Sequence, residues 1–133
     1  MSIRDNYLEI LKRKDAAAKR SGRNPEDVML MAVTKKHEPD ELREAIDAGA
    51  TDFGENKVQE LLSKYDEVHP KRWHLIGHLQ TNKVRQIIDK VTMIHSVDSL
   101  KLAREINKRA AAAGVVMDVL IEINLAEEES KTG

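Results

Sequence analysis

The opening residues place apolar side chains at helical spacing. These positions are Ile3, Tyr7, Ile10 and Leu11. Their separations put them on one face of a helix, which the Ser21-Gly22 pair ends. The next apolar segment, residues 28–35, is continuous instead of periodic, and such runs are typical of strands that are buried on both faces in a parallel sheet.

The rest of the chain repeats this alternation of helix-like segments and apolar runs. Pro39 begins the second helix as a first-turn residue, and Gly49 ends it. Further strands are predicted at "TDFGEN", "WHLIGHL", "VTMIHSV" and "VMDVLIEINL". The residues expected to cap or end the later helices are Asn82, then Asp98 or Ser99, and Gly114. Strands that alternate with helices predict a parallel sheet with right-handed crossovers.

Two architectures fit this alternation, an open doubly wound sheet and a (β/α)8 barrel. The first β–α turn, "TKKHEPDE", has neither a Gly-x-Gly-x-x-Gly nor a P-loop pattern, which disfavours the nucleotide-binding doubly wound form. Polar residues follow the carboxyl ends of all five strands, where barrels carry their active sites. They are Lys35, Glu55-Asn56, His78, Ser96 with Asp98, and Asn124. Because eight strands normally need about 250 residues, we expect one domain, residues 1–133, with an α/β fold of the (β/α)8 TIM-barrel type, truncated after the fifth strand.

The composition excludes several classes of function. The 133 residues include 22 basic and 23 acidic ones, and this near balance predicts no nucleic-acid partner and no membrane surface partner. The sequence shows no transmembrane run and no export signal, and it contains no cysteine, which excludes disulfides and thiolate chemistry. We therefore expect a cytoplasmic protein.

Lys35 and Lys36 stand together at the end of the first predicted strand. Adjacent strand residues point to opposite faces, so only one of the two faces the rim, and periodicity does not decide which. The ordinary interpretation is that both side chains extend into solvent. The alternative is a Schiff-base lysine. An unperturbed lysine, with a pKa near 10.4, is uncharged in only about one molecule in a thousand at neutral pH, and burial or a neighbouring cation raises that fraction.

Two histidines on the third predicted strand raise the question of a metal. His74 and His78 are four residues apart, a spacing that suits zinc on a helix but not on a strand, and the sequence has neither an HExxH pattern nor a cysteine. We therefore predict no metal site. His74 is expected to be hydrogen-bonded in the interior or at the rim.

Two other polar stretches have ordinary structural interpretations. Asn56 in "FGEN" is interpreted as a cap of the following helix, as a ligand contact, or as both. His95, Ser96 and Asp98 lie within four residues of one another. That spacing is simpler to explain as a strand end followed by a helix cap than as a Ser–His–Asp catalytic device.

The chain also contains five longer motifs in a defined order. They are "LMAVTK", "AIDAGATDFGENKVQE", "WHLIGHLQTNKV", "MIHSVDSLKLAREIN" and "VLIEINLAEEESKTG". Together they resemble the pyridoxal 5′-phosphate (PLP) homeostasis family, the one-domain relatives of the alanine racemase N-terminal barrel. The resemblance extends from the first helix to Gly133, and "DFGEN-VQE" followed by "WHLIGHLQTNK" is its most specific part.

The resemblance implies a PLP-binding protein for intracellular PLP homeostasis, with PLP-dependent client enzymes as partners. The cofactor-binding residues that it implies are Lys35 as the aldimine lysine, Asn56, His74 and Ser96, with Lys131 in a secondary role. Lys36 is then expected to face solvent. The resemblance implies no catalytic residues and no strong catalysis, because the family lacks the second domain that gives racemases their acid/base tyrosine.

The family continues with three more strands, which carry the phosphate cup and the contact to the pyridine nitrogen. We therefore expect weak cofactor binding by this chain alone, and either marginal stability or self-association through the open edges of its first and fifth strands. Two alternatives remain open. One is a Schiff-base enzyme, such as an amino-acid racemase with His74 or His78 as its acid/base group. The other is a fragment that binds no cofactor because the phosphate site is missing.

Overall fold

A computed structural model describes residues 2–126, 128–130 and 132–133. The helices are α1 (Ile3–Arg20), α2 (Pro39–Asp47), α3 (Val58–Tyr65), α4 (Val84–Ile87) and α5 (Leu100–Ala113). The strands are β1 (Met31–Val33), β2 (Asp52–Glu55), β3 (Arg72–Leu75), β4 (Met93–Val97) and β5 (Asp118–Ile121). Short 3-10 turns at Pro25–Asp27 and Thr81–Lys83 precede β1 and α4. Within the described residues, no helix is long and apolar enough to cross a membrane.

The five strands form one parallel sheet in the order β1-β2-β3-β4-β5. A strand order that never reverses, combined with right-handed crossovers, puts every crossover helix on the same face of the sheet. A doubly wound sheet would instead reverse its strand order and carry helices on both faces. The structure therefore confirms the barrel-type α/β fold, and five of the eight strands of such a barrel are present.

The alternation of side chains gives this sheet two different faces. We call the side covered by α2–α5 the helix face. Its interior-pointing strand residues include Phe53, Leu75 and Ile94, all with no exposed surface, and they belong to a single apolar core with residues of the helices. The other side is the open face. Met31 and Ile76 pack there over Gly54, since a Cβ added to Gly54 would lie 3.0 Å from the Met31 sulfur and 3.3 Å from Ile76 Cδ1.

Most of the helix-boundary signals in the sequence act as predicted. Pro39 is the first residue of α2, and a capping box between Glu38 and Glu41 closes its start. The Ser99 hydroxyl caps α5 by accepting the Leu102 N–H, so Ser99 and not Asp98 is the cap. Gly49 and Gly114 follow the ends of α2 and α5 with positive φ angles, as helix-ending glycines do. The prediction for Asn82 was wrong, because the preceding 3-10 turn runs directly into α4 and Lys83 occupies the cap position.

The strands are shorter than the apolar runs that predict them. β1 begins at Met31, not at residue 28, because its pairing with Asp52 sets a register in which residues 28–30 would face the turn at the end of α2. β5 ends at Ile121 because its partner β4 ends at Val97. A strand requires a hydrogen-bonded neighbouring strand, and the apolar run of one strand does not show where its neighbour ends.

Candidate functional site

The carboxyl ends of the five parallel strands lie along one edge of the sheet, which we call the rim. As predicted, each strand is followed there by polar residues, among them Lys35, Asn56, His78, Asp98 and Asn124. His78 Nδ1 lies 3.6 Å from Asp98 Oδ2, which links the ends of β3 and β4. The Asn124 side chain bonds to the backbone of Glu128 and so closes the turn after β5.

The hydrogen bonds of Thr34 fix the end of the first strand, directly before Lys35. The Thr34 N–H continues the ladder by donating to Gly54 O, and its hydroxyl donates to the Glu55 carboxylate on the helix face. Lys35, the next residue, begins the turn that the His37 N–H closes by donating to Thr34 O, so it lies at the rim directly after β1. Lys35 is exposed, and among the described residues its amine has no hydrogen-bond or ion-pair partner. An uncommitted amine at the rim fits a lysine that binds a carbonyl compound.

A buried lysine lies beneath this turn. The side chain of Lys64, in α3, is 6% exposed, and its ammonium donates to Thr34 O at 2.8 Å, Glu55 Oε2 at 3.0 Å and Glu60 Oε2 at 2.7 Å. The same oxygen of Glu60 accepts the backbone N–H of Lys36. The hydrogen bond from Lys64 is the main reason that the pKa of the Glu60 carboxyl lies below its usual range. We call Lys64, Glu55 and Glu60 the buried triad.

Asn56 follows β2 at the rim and is partly buried. It does not cap α3, because Lys57 occupies the cap position, so the capping interpretation is wrong. Among the described residues its side-chain amide has no hydrogen-bond partner, which leaves it available to a ligand. The next strand fixes its backbone instead: a Cβ on Gly77 would lie 2.3 Å from Asn56 O and 2.7 Å from Asn56 Cα. Only glycine permits this approach.

Gly77→Ala is therefore expected to lower the free energy of unfolding by about 1–3 kcal/mol, the usual cost of an added methyl group that forces the backbone to move. Urea unfolding measures the change. Gly54→Ala is the matched control, because its new Cβ would meet the flexible side chains of Met31 and Ile76 and no backbone. Equal losses in the two variants would contradict the claim that the Asn56 backbone is the obstacle.

A second polar network lies on the open face, nearer the amino ends of the strands. Asp52 is fully buried and accepts a two-pronged contact from Arg72, with Nε to Oδ2 at 2.7 Å and Nη2 to Oδ1 at 2.8 Å. Thr51 and His74 also donate to it, at 2.6 and 2.7 Å. Burial by itself would raise the pKa of the Asp52 carboxyl, but the hydrogen bonds from Arg72, Thr51 and His74 outweigh burial and hold it well below its usual range.

The hydrogen-bond network continues through His74 to the neighbouring strand β4. His74 is buried, and its Nδ1 lies 3.0 Å from Nε2 of His95 in β4. Because only N–H can face the Asp52 carboxylate, a neutral His74 donates from Nε2 and accepts from His95 at Nδ1. Burial and the neighbouring His74 lower the pKa of His95. The predicted hydrogen-bonded interior histidine is confirmed, whereas its position beside a cofactor stays a prediction.

Two other predicted site residues have different outcomes. Ser96 is buried, at 2% exposure, and its hydroxyl has no hydrogen-bond partner among the described residues. The register between β4 and β5 is irregular between Ile94 and Val97, so alternation does not assign Ser96 to a face. Lys131 lies outside the described residues. Within those residues, no group of three or more His, Asp or Glu side chains is placed to hold a metal ion.

Sequence reasoning missed the residues that hold these sites together. They are Asp52, Glu60, Lys64 and Arg72. Glu55 was predicted at the rim, but it is fully buried as the last residue of β2, and His95 was predicted only as part of a strand end. One signal was present: Asp52 and Glu55 are acidic residues in a strand of a parallel sheet, where both faces are normally apolar. A buried carboxylate needs a cationic or hydrogen-bonding partner, so each of these two acidic residues indicated a buried partner elsewhere in the chain.

Comparison with known proteins gives a consistent result along the chain. Residues 9–128 match the family model described as alanine racemase, N-terminal domain. The pyridoxal phosphate homeostasis protein of Aquifex aeolicus is 42% identical over 135 residues, which cover 100% of this chain and 59% of that protein. The chain thus spans little more than half the length of the curated relatives that it matches.

Solved structures agree in fold as well as in sequence. A protein of Bifidobacterium adolescentis, described as unknown, superposes with a TM-score of 0.86 at 37% identity, over 98% of this chain and 58% of that one. PipY of Synechococcus elongatus, solved with PLP bound, superposes with a TM-score of 0.74 at 36% identity, over 86% of this chain and 56% of that one. The similarity therefore includes the sheet, the rim and the helices around them.

Proposed function

This chain belongs to the alanine racemase N-terminal domain family, and from that premise we propose that it binds PLP through Lys35 and serves PLP homeostasis without strong catalysis. The observation that carries the proposal is the exposed Lys35 amine, which follows β1 at the rim and has no partner among the described residues. The similarity to PLP homeostasis proteins and to PipY, whose structure contains PLP, supports this choice of cofactor.

The residues at the rim fit such a cofactor. PLP carries an aldehyde that condenses reversibly with amines, and this is the chemistry it supplies when bound. Lys35 offers the amine, and the Asn56 side chain offers an uncommitted donor and acceptor at the end of the next strand. Ser96 brings a hydroxyl without a partner among the described residues, though one that is buried. His74 is held by Asp52 and His95, so its contribution would be to shape the open face.

Weak catalysis is the second part of the proposal. A racemase needs an acid and a base on opposite sides of the substrate carbon, both with pKa values near neutrality. At the rim, His78 is 61% exposed and sits beside Asp98, a position that solvent reaches from several sides. Tyr7 and Tyr65 pack against the apolar core of the helices, away from the rim. Cofactor storage needs only the reversible bond to Lys35.

Two partner proposals follow from the same reasoning. Transfer of PLP to client enzymes requires that the amine stay open to solvent, and Lys35 is exposed. Self-association is supported by β5, whose four residues are all exposed and whose Ile121 is 74% exposed. A strand paired on one side presents free backbone groups to other chains. Sedimentation equilibrium showing only monomer at high concentration would overturn the second proposal.

The experiment combines PLP with the purified chain, records the visible spectrum, reduces the mixture with borohydride and locates the labelled lysine by peptide mass spectrometry. We expect a new absorption band and a label on Lys35, both lost in Lys35→Ala. Lys57→Ala is the matched control, because Lys57 is an exposed lysine that follows the next strand at the same rim, and it should leave the label unchanged.

Three other outcomes would contradict the proposal in different ways. Label spread evenly over the surface lysines would mean that no site selects Lys35. No label at all would favour a chain that binds no cofactor. Turnover of an L-amino acid to its D-form that depends on both PLP and Lys35 would favour the racemase alternative.

A further inference from the structure

We propose that Lys64 and Glu60 are positioning residues for Lys35: they fix the backbone on both sides of it and so direct its side chain to the rim. This inference rests on the proposed function, since Lys35 must be the lysine that carries PLP. Neither residue would touch the cofactor. Each acts through the turn that joins β1 to α2.

The first anchor holds the residue before Lys35. The Lys64 ammonium donates to the backbone oxygen of Thr34 at 2.8 Å, while the Thr34 hydroxyl donates to the Glu55 carboxylate that Lys64 also contacts. Thr34 is 4% exposed, so these bonds form away from water. Both polar groups of Thr34 that face α3 are therefore committed, and the peptide that leads into Lys35 has one orientation.

The second anchor holds the residue after Lys35. The Lys36 N–H donates to Glu60 Oε2, the oxygen that also accepts a bond from Lys64 at 2.7 Å. Lys36 has a φ angle of +65°, the only positive value at a non-glycine residue in the described part of the chain. Side chains other than glycine adopt that region only where the surroundings impose it. The Glu60 carboxylate supplies that constraint.

Electrostatics makes the buried triad rigid. One ammonium lies between two carboxylates, and the same two carboxylate oxygens also accept the Thr34 hydroxyl and the Lys36 N–H. Every strong donor at this point thus faces an acceptor, and hydrogen bonds in which both partners are charged are short and directional. If one of these three charged side chains were removed, the turn would lose a contact that holds it in the observed conformation.

The anchors also distinguish two lysines that are neighbours in sequence. Thr34 still donates its N–H to the neighbouring strand, and Lys35 is the first residue of the turn that follows. Lys36, the next residue of that turn, has a left-handed backbone, which is the conformation that its bond to Glu60 stabilises. The selectivity for one amine therefore comes from the backbone, because both side chains are exposed lysines of the same chemistry.

Glu60→Ala removes the second anchor while Lys64 keeps its bond to buried Glu55, so the variant is expected to fold. Amide hydrogen exchange measured by NMR should show the Lys36 N–H protected in the wild type and exposed to exchange in the variant. Glu60→Gln should restore the protection of the Lys36 N–H, since its amide oxygen can still accept that hydrogen bond. Glu105→Ala is the matched control, because Glu105 pairs with Arg109 at the same i, i+4 spacing on α5.

The second measurement uses PLP as the probe, followed by borohydride reduction and peptide mapping. In Glu60→Ala we expect the ratio of label on Lys35 to label on Lys36 to fall on the order of 10-fold, because a small misplacement of a reacting group costs that much or more. Glu60→Gln should keep the wild-type ratio, and so should Glu105→Ala. Because unfolding would itself make the two adjacent lysines equivalent, the ratio is measured under conditions in which circular dichroism shows that Glu60→Ala is folded.

The two measurements distinguish a failure of the proposed function from a failure of the positioning role. A wild-type chain without label on Lys35 overturns the proposed function, whatever the Lys36 N–H does. A Lys36 N–H that exchanges freely in the wild type, or a labelling ratio that Glu60→Ala leaves unchanged, overturns the positioning role while the proposed function stands. Loss of both protection and ratio in Glu60→Ala, with both restored in Glu60→Gln, supports the inference.

Discussion

Lys64→Met is expected to lower the free energy of unfolding by about 3–5 kcal/mol, the range found when one partner of a buried ion pair is removed. Methionine has nearly the length of lysine and fills the same space, so the loss reports the charge and its donors and not a cavity. The variant would leave the carboxylate of Glu55, which has no exposed surface, with the Thr34 hydroxyl as its remaining donor and no cation, and the Thr34 carbonyl with the His37 N–H alone. Urea unfolding followed by circular dichroism measures the change.

Two further variants test this explanation of the Lys64 effect. Adding Glu55→Gln to Lys64→Met removes the stranded charge, and we expect it to recover about half of the loss, since an unpaired buried charge is the larger part of the cost. Arg109→Met is the matched control: its pair with Glu105 is partly exposed, so its removal should cost far less than the removal of the Lys64 ammonium. Losses of similar size in Lys64→Met and Arg109→Met would show that the triad contributes no more than a surface pair.

Asp52→Asn is expected to be the second largest loss, about 2–4 kcal/mol at neutral pH, because the variant weakens several charge-assisted hydrogen bonds at a buried position. Asparagine keeps the shape of the side chain but presents an NH2 group to a neighbour that also donates. Arg72 is 41% exposed and can turn to solvent, which limits the cost. His74 is 2% exposed and cannot, so the amide oxygen has to take the Oδ2 position to keep its bond, and the NH2 group then faces the Thr51 hydroxyl and Arg72 Nη2.

The pH dependence of the stability difference between wild type and Asp52→Asn tests whether the charge of Asp52 causes the loss. Because folding holds the pKa of Asp52 well below its usual value of about 3.9, the wild type gains stability from this group above that pH. The gain is lost as the pH falls through the window below about 4, where the unfolded chain takes up the proton first. The difference between wild type and Asp52→Asn should therefore shrink from pH 6 to pH 2. For the exposed control Asp89→Asn, we expect no such trend.

Much of the fold could be predicted from local sequence because its determinants are local. Helix boundaries depend on residues such as Pro39, Ser99 and Gly114, whose effects act over one turn. The helical spacing of Ile3 and Tyr7 likewise predicts α1, and both side chains pack against the core. Strand limits were predicted less well, since the ends of β1 and β5 depend on where a neighbouring strand stops.

The candidate site divides in the same way. Lys35 and Asn56 could be found from the sequence because they follow strands, and the resemblance to a known family singled them out. The buried triad could not be found in this way, because Glu60 and Lys64 resemble ordinary charged residues until α3 folds back over β1 and β2, and Glu55 indicates a buried partner without identifying it. The contact of His74 with Asp52 and His95 also joins three strands, and no pattern within one strand contains it.

For this chain, the amino-acid sequence by itself determined the order of helices and strands, the ends of most helices, the polar character of the rim, and the pair of lysines from which one is chosen. Only the tertiary structure shows how the surroundings of those lysines differ, through an ammonium and a carboxylate that α3 places beneath the turn. The physical reason is that hydrophobic periodicity and capping act between near neighbours. A buried charge, in contrast, becomes stable only when groups distant in sequence meet it at hydrogen-bonding distance.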